Sequence, residues 1–189
     1  MGGKIILRPL AQIDSLILEI LKQGLSQTFN CSVEIRPLTL SLDYAYDLER
    51  KQYLAPQLLS ALHGFRMERG DRCLGIVDVD LYSPGLNFVF GEADISGGAA
   101  VISVYRLRQE RYGLPQDEGL FQDRAIKEAV HELGHTYYLS HCRDIKCVMH
   151  FSNSLADTDI KGASLCPKCQ KRLKEIIQSG RLRGAPAPL

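Results

Sequence analysis

Five segments carry the period of extended strands. Apolar side chains run nearly unbroken or alternate with polar ones over residues 4–10, 31–38, 71–82, 87–94 and 99–107. In the second, Val33 and Ile35 alternate with Ser32, Glu34 and Arg36, the pattern of a half-buried strand. Between the strands the period changes. Ile13, Leu16, Ile17, Ile20 and Leu21 recur at helical spacing, which predicts an amphipathic helix over residues 12–29. Leu48, Leu54, Leu58, Leu59, Leu62 and Phe65 give residues 43–69 a helical reading, with Pro56 suited to a helix start. Ser83-Pro84-Gly85 ends the third strand, Ile95-Ser96-Gly97-Gly98 joins the last two, and Gly91 marks a bulge or an edge position. The order βαβαββ predicts an α/β fold, a twisted mixed sheet covered by helices with one late strand added antiparallel at its edge.

A second long helix is expected over residues 115–138, with Ala125, Ala129, Val130 and Leu133 on its apolar side. Residues 141–164 show little periodicity, 166–180 read as a short basic helix, and the tail 181–189 has no core residues to pack. The division expected is an N-terminal α/β subdomain over 1–138, a smaller irregular and helical C-terminal subdomain over 139–180, and a flexible tail. Composition adds little: 189 residues, 45% hydrophobic and 24% charged, suit an ordinary globular chain. A net charge of +1 does not suggest a protein built to neutralise many phosphates, so no nucleic-acid partner is expected. Lys168, Lys171, Arg172, Lys174, Arg181 and Arg183 make the C-terminus basic, which a solvated helix face explains. No apolar run is long enough for a membrane span, and Arg8, Pro9, Gln12 and Asp14 interrupt any signal-peptide core, so no membrane partner and a cytoplasmic location are expected.

The chemistry lies in residues 129–149, AVHELGHTYYLSHCRDIKCVM. His131 and His135 are four apart, so a helix projects both imidazoles from one face toward a single ion. Glu132, beside the first, can hold a water that Zn²⁺ has made acidic enough to ionise near neutral pH. His141 follows six residues after His135, which on an unbroken helix is about 120° off that face. The helix must therefore stop, and the chain turn back, for His141 to complete a tripod. Cys142 and Cys147, separated by eighteen residues from the Cys166-Pro167-Lys168-Cys169 knuckle, match a closed Cys₄ zinc site that leaves no position for water. Such a metal is structural, and it pins a segment poor in apolar residues beside the histidine helix. Cys31 and Cys73, in or beside strands, read as buried thiols. Asp78 and Asp80 read as solvent-facing strand positions or a functional pair, His63 as a surface or core histidine, and His150 as a minor competitor for metal.

HELGHTYYLSH followed by Met149 resembles the metzincin clan of zinc metalloproteases, and the interleaved cysteines narrow the resemblance to the archaemetzincins. That resemblance implies a metzincin-like fold and two zinc ions per chain. A catalytic zinc would sit on His131, His135 and His141, with Glu132 as general base and Met149 as the turn methionine beneath it. A structural zinc would sit on Cys142, Cys147, Cys166 and Cys169. On residue type alone Met149 would read as a core filler. The implied activity is hydrolysis of a peptide or protein substrate by a zinc-bound water that Glu132 activates, the extended substrate pairing with an edge strand around residues 88–92 and Gly97-Gly98 forming a rim. One departure stands out: Tyr138 occupies the position of the family's glycine, where a left-handed turn would cost a bulky residue about 1–2 kcal/mol. The turn could instead fall at Leu139 or Ser140. A distorted third ligand would give the alternative, a non-catalytic zinc-stabilised peptide-binding protein. Tyr137 or Tyr138 could offer a phenol to a tetrahedral intermediate, with packing the simpler role.

Overall fold

The computed structural model describes residues 3–38, 40–65, 67–68 and 70–179. Strands β1 (Ile5–Pro9), β2 (Val33–Ile35), β5 (Arg72–Val77), β8 (Ala99–Ser103) and β7 (Gly91–Asp94) form one sheet in the order β2-β1-β5-β8-β7. The first four are parallel and β7 runs antiparallel at the edge, as the element order predicts. Every residue of β1, β5 and β8 is buried, which is why these segments read as apolar runs: both faces of a parallel sheet are covered. Ile5, Leu7, Leu74, Ile76, Ala100 and Ile102 join the core beneath helices α1 (Ser15–Phe29) and α3 (Glu118–Thr136). Cys73, Ala99 and Val101 join a second core with helix α2 (Ala55–His63).

Several boundaries move, each for a local reason. Helix α1 starts at Ser15 rather than residue 12 because the Asp14 carboxylate accepts the Leu16 N–H (2.8 Å) and caps it. Leu16, although in helical register, is 58% exposed. Helix α3 starts at Glu118, capped by Asp117 through the Leu120 N–H (2.9 Å). The largest correction is residues 43–69, where α2 is the only α-helix among the described residues. Ahead of it, a 3₁₀ turn leads into a hairpin of β3 (Tyr46–Asp47) and β4 (Gln52–Leu54). The Asp47 side chain accepts the N–H groups of Glu49 and Arg50 (3.0 Å each) and Lys51 takes φ 55°, so a turn forms where leucine spacing suggested helix. Leu48, counted toward that helix, is 81% exposed at the turn.

The run 71–82 likewise splits into β5 and β6 (Leu81–Tyr82), the latter completing a small sheet with β3 and β4. Asp78 and Asp80 lie between them, ion-paired to Arg108 (2.8 Å) and Arg106 (2.6 Å), so they are loop anchors rather than strand positions. Past β8, residues 105–107 and 109–112 are 3₁₀ turns, not strand. Among its described residues the C-terminal segment has two helices, α4 (Leu155–Ile160) and α5 (Pro167–Gln178). Cys147, Val148, Met149, Cys169 and Leu173 are buried in the same core as α1 and α3, while Lys168, Lys171, Arg172 and Lys174 form an exposed face. The expected flexible tail, 181–189, lies outside the described residues. Among the described residues no helix is long and apolar enough to cross a membrane.

Candidate active site

Two clusters meet at the C-terminal end of α3. The side-chain nitrogens of His131, His135 and His141 lie within 4.8 Å of one another, as do the sulfurs of Cys142, Cys147, Cys166 and Cys169. His141 joins its partners because α3 ends at Thr136. The Tyr138 N–H donates to the His135 carbonyl (2.9 Å) and the Leu139 N–H to that of Gly134 (3.1 Å), a Schellman pair that caps the helix. Tyr138 takes φ 60° there, the left-handed turn that normally falls to glycine. The bend is therefore at Tyr138 itself, not at Leu139 or Ser140. Arg72, only 1% exposed, braces the turn from β5. It donates to the Thr136 carbonyl (3.1 Å) and stacks over Tyr137 (4.8 Å). Tyr137 is buried against Phe29 and so serves packing. Replacing Tyr138 by glycine removes the strain but adds freedom to the unfolded chain, so a net gain of about 0.5–1 kcal/mol is expected in urea unfolding at fixed metal. A lower midpoint would contradict this account.

The histidine tautomers follow from their neighbours. His131 Nδ1 donates to the Val148 carbonyl and His135 Nδ1 to that of Leu139, both at 2.8 Å. Each Nε2 is left with a lone pair, and the two Nε2 atoms are 3.2 Å apart. Two facing acceptors repel unless a cation sits between them. Two nitrogens on a tetrahedral Zn²⁺ at about 2.0–2.1 Å are about 3.3 Å apart, so the residues fit that ion. Burial lowers the pKa of all three histidines, His131 most strongly, with the Lys161 charge adding to it, so the imidazoles stay neutral as ligands must. His150 donates Nδ1 to the Cys142 carbonyl (2.8 Å) and stays out of the cluster.

Among the cysteines, Cys142 and Cys166 have sulfurs 3.8 Å apart, far beyond a disulfide bond and close to the separation of about 3.8 Å between two thiolates on one tetrahedral zinc. The Cys169 backbone N–H lowers the Cys166 thiol pKa, while burial raises those of Cys147 and Cys169. A cation resolves that competition, because thiols in contact cannot all ionise alone. Cys31 and Cys73 lie outside this group, and burial pushes the Cys73 thiol up to about 11.

Glu132 is buried beside the histidines, and its pKa is raised well above the carboxylate range by burial, then by Glu128 and Glu92. Its side chain lies against edge strand β7, where a Cβ on Gly91 would come within 2.6 Å of Glu132 Cγ and 2.7 Å of the Val101 carbonyl oxygen. Gly91 is thus an edge position whose missing side chain makes room for the carboxylate. Gly134 makes room in the same way beneath the helix, where a Cβ would collide with Met149 Sδ. The cavity over the histidines has a volume of about 520 Å³, and its lining includes Phe88, Phe90, Phe151 and Lys161. Gly97 and Gly98 turn instead beside His63 and Arg72 and form no rim to it. His63 is tied to Asp94 (2.9 Å). Sequence reading missed Glu128, Lys161 and Arg72. Glu128 had a signal, lying three residues before His131 on the same helix face, whereas Lys161 and Arg72 had none.

The profile of Peptidase family M54 matches residues 29–175. A protein of Pyrococcus furiosus named Archaemetzincin is 42% identical over 191 residues, spanning 97% of this chain and 99% of that one. The crystal structure of an archaemetzincin from Methanopyrus kandleri superposes with TM-score 0.82 at 39% identity, over 94% of this chain and 96% of the other. That of a zinc-dependent peptidase from Methanocorpusculum labreanum gives 0.83 at 28% identity, over 90% and 100%.

Proposed function

The chain belongs to peptidase family M54, the archaemetzincins, and is a zinc metalloprotease; from that membership we propose a metzincin-like peptidase with two zinc ions. His131, His135 and His141 hold the catalytic ion, and Cys142, Cys147, Cys166 and Cys169 hold the structural one. The observation that carries the reading is the pair of Nε2 lone pairs 3.2 Å apart, with His141 brought beside them by the turn at Tyr138.

Zinc bound there supplies Lewis acidity, stabilising charge that develops on the scissile carbonyl oxygen and making water more acidic. The chain supplies the rest. Glu132 takes the proton of the attacking water and then passes that proton to the leaving amine. Burial against Gly91 keeps the carboxylate in one place. Met149, buried under Gly134, supports the floor of the histidine site as a turn methionine. An extended peptide lies along residues 88–92, adding to edge strand β7 past the point where Val89 pairs with Leu81. The alternative, a binding protein whose third ligand Tyr138 has displaced, draws no support from a turn that forms at Tyr138 with His141 still beside its partners.

Zinc counting paired with a cleavage scan of a diverse peptide library tests the proposal. Two zinc ions per chain and cleavage that a chelator removes are expected. One zinc and no cleavage would mean a scaffold.

A further inference from the structure

The last carbonyls of α3 are all taken, and one of them by a residue from a distant element. Leu133 accepts the Thr136 hydroxyl (2.7 Å), while Gly134 and His135 accept the N–H groups of Leu139 and Tyr138. The Thr136 carbonyl accepts Arg72 Nε (3.1 Å), from 64 positions earlier in the chain. In an unbroken α-helix that carbonyl would receive the Ser140 N–H, so Arg72 occupies the acceptor that a longer helix needs. The guanidinium is itself held on several sides. Nη1 donates to the Asp71 carbonyl (2.7 Å), and the Tyr137 ring beneath it stacks on Phe29 with centroids 5.0 Å apart. Gly98, at φ 69°, leaves the guanidinium its space, since a Cβ there would lie 3.1 Å from Nη1. A cation at a helix C-terminus is also favoured by the helix dipole.

Two zinc ligands depend on where α3 stops. The Leu139 carbonyl, just past the turn, accepts His135 Nδ1 (2.8 Å), and His141 reaches its partners from beyond the same turn. Glycine turns left-handed without steric penalty, whereas Tyr138 at φ 60° does not, so this chain lacks the intrinsic stop. We propose that Arg72 is a positioning residue for the catalytic zinc, an external stop that ends α3 in register for His135 and His141 because Tyr138 stands where glycine would end it unaided. Its charge does not oppose a dication there. Burial lowers the pKa values of His135 and His141, and the buried cation that adds to it is Lys161, not Arg72. The proposal rests on the zinc peptidase reading and deepens it.

Coupling between residues 72 and 138 is the test, on the full chain with its cysteine site loaded. Zinc affinity of the histidine site is read by chelator competition, with thiolate absorbance following the cysteine site. Arg72→Met should weaken the histidine site about 10–100-fold, the range for losing an orienting group. Arg72→Lys, which keeps the charge and one donor, should weaken it less. Tyr138→Gly alone should leave it no weaker and, combined with either Arg72 variant, should recover most of the lost affinity. A merely structural arginine gives additive effects instead, with the same loss in the parent and Tyr138→Gly backgrounds. Equal losses in the two backgrounds, or no loss at all, would overturn the proposal. Amide hydrogen exchange at Leu139, a donor of the Schellman pair, reads the turn without metal at the histidines. Arg72→Lys should speed it severalfold in the parent and less in the Tyr138→Gly background. A histidine site that binds no ion would sink the peptidase reading while Leu139 exchange still decides the role of Arg72. Zinc bound and peptide cleaved, with equal losses in both backgrounds, does the reverse.

Discussion

Glu132→Gln protein should fold, keep two zinc ions and lose peptide hydrolysis, with kcat down by roughly 10²–10⁴-fold, the contribution of a positioned general base. Glutamine fills the same space against Gly91, so geometry is preserved and only proton transfer is removed. Stability gives a second, independent readout. In the chain whose histidine site is empty while the cysteine site keeps its ion, the raised Glu132 pKa means that folding favours its protonated form. Its contribution is fully present below the unfolded carboxylate value of about 4.3 and is lost as pH rises through the folded value. An uncharged amide has no such loss. With the histidine site empty, the variant should therefore be at least as stable as its parent at neutral pH, with the difference widening as pH rises through the folded Glu132 value. Activity and zinc content of the loaded protein, with melting temperature measured after the catalytic ion is removed, decide the matter. Turnover within tenfold of the parent would remove Glu132 from the reaction.

The sequence made the site more legible than the scaffold, for a physical reason. Metal ligands are set by residue type and spacing: histidines four apart share a helix face whatever surrounds them, and a CxxC knuckle is nearly self-contained. Parallel strands also announced themselves, because β1, β5 and β8 are buried on both faces and are mostly apolar, with Arg8, Arg72 and Ser103 near their ends the polar exceptions. Residues 43–54 misled because leucine spacing says nothing of Asp47, whose carboxylate captures two backbone N–H groups and closes a turn instead. Gly91 was visible as an anomaly, yet its cause is a side chain 41 positions later in sequence. Lys161 and Arg72 illustrate the limit: a single basic residue looks like surface until the tertiary fold buries it against Glu128 or the end of α3.

Cys166→Ser is expected to reach well beyond its own metal. Losing the Cys₄ ion removes a site of the kind that can contribute on the order of 10 kcal/mol, comparable to the whole stability of a domain, so a large fall in melting temperature should follow. The catalytic site should weaken with it, because the two share covalent and hydrogen-bonded supports. Cys142 follows His141 directly, and its N–H donates to the Met149 carbonyl (2.8 Å). Residues 147–149 then contribute, in order, a sulfur to the cysteine cluster, the carbonyl that fixes His131 Nδ1 (2.8 Å) and the methionine beneath Gly134. Freeing that strip loosens the third histidine and unhooks the first, and loss of such an orienting bond typically lowers metal affinity about 10–100-fold. The coupling should be lopsided. His141→Ala opens the catalytic site but leaves every sulfur ligand and the core around Cys147 intact, so it should forfeit one zinc with a smaller fall in melting temperature than Cys166→Ser. Zinc affinities from chelator competition on both variants, read beside their melting curves, test this; catalytic-site affinity unaltered by Cys166→Ser would mean that the two ions are held independently.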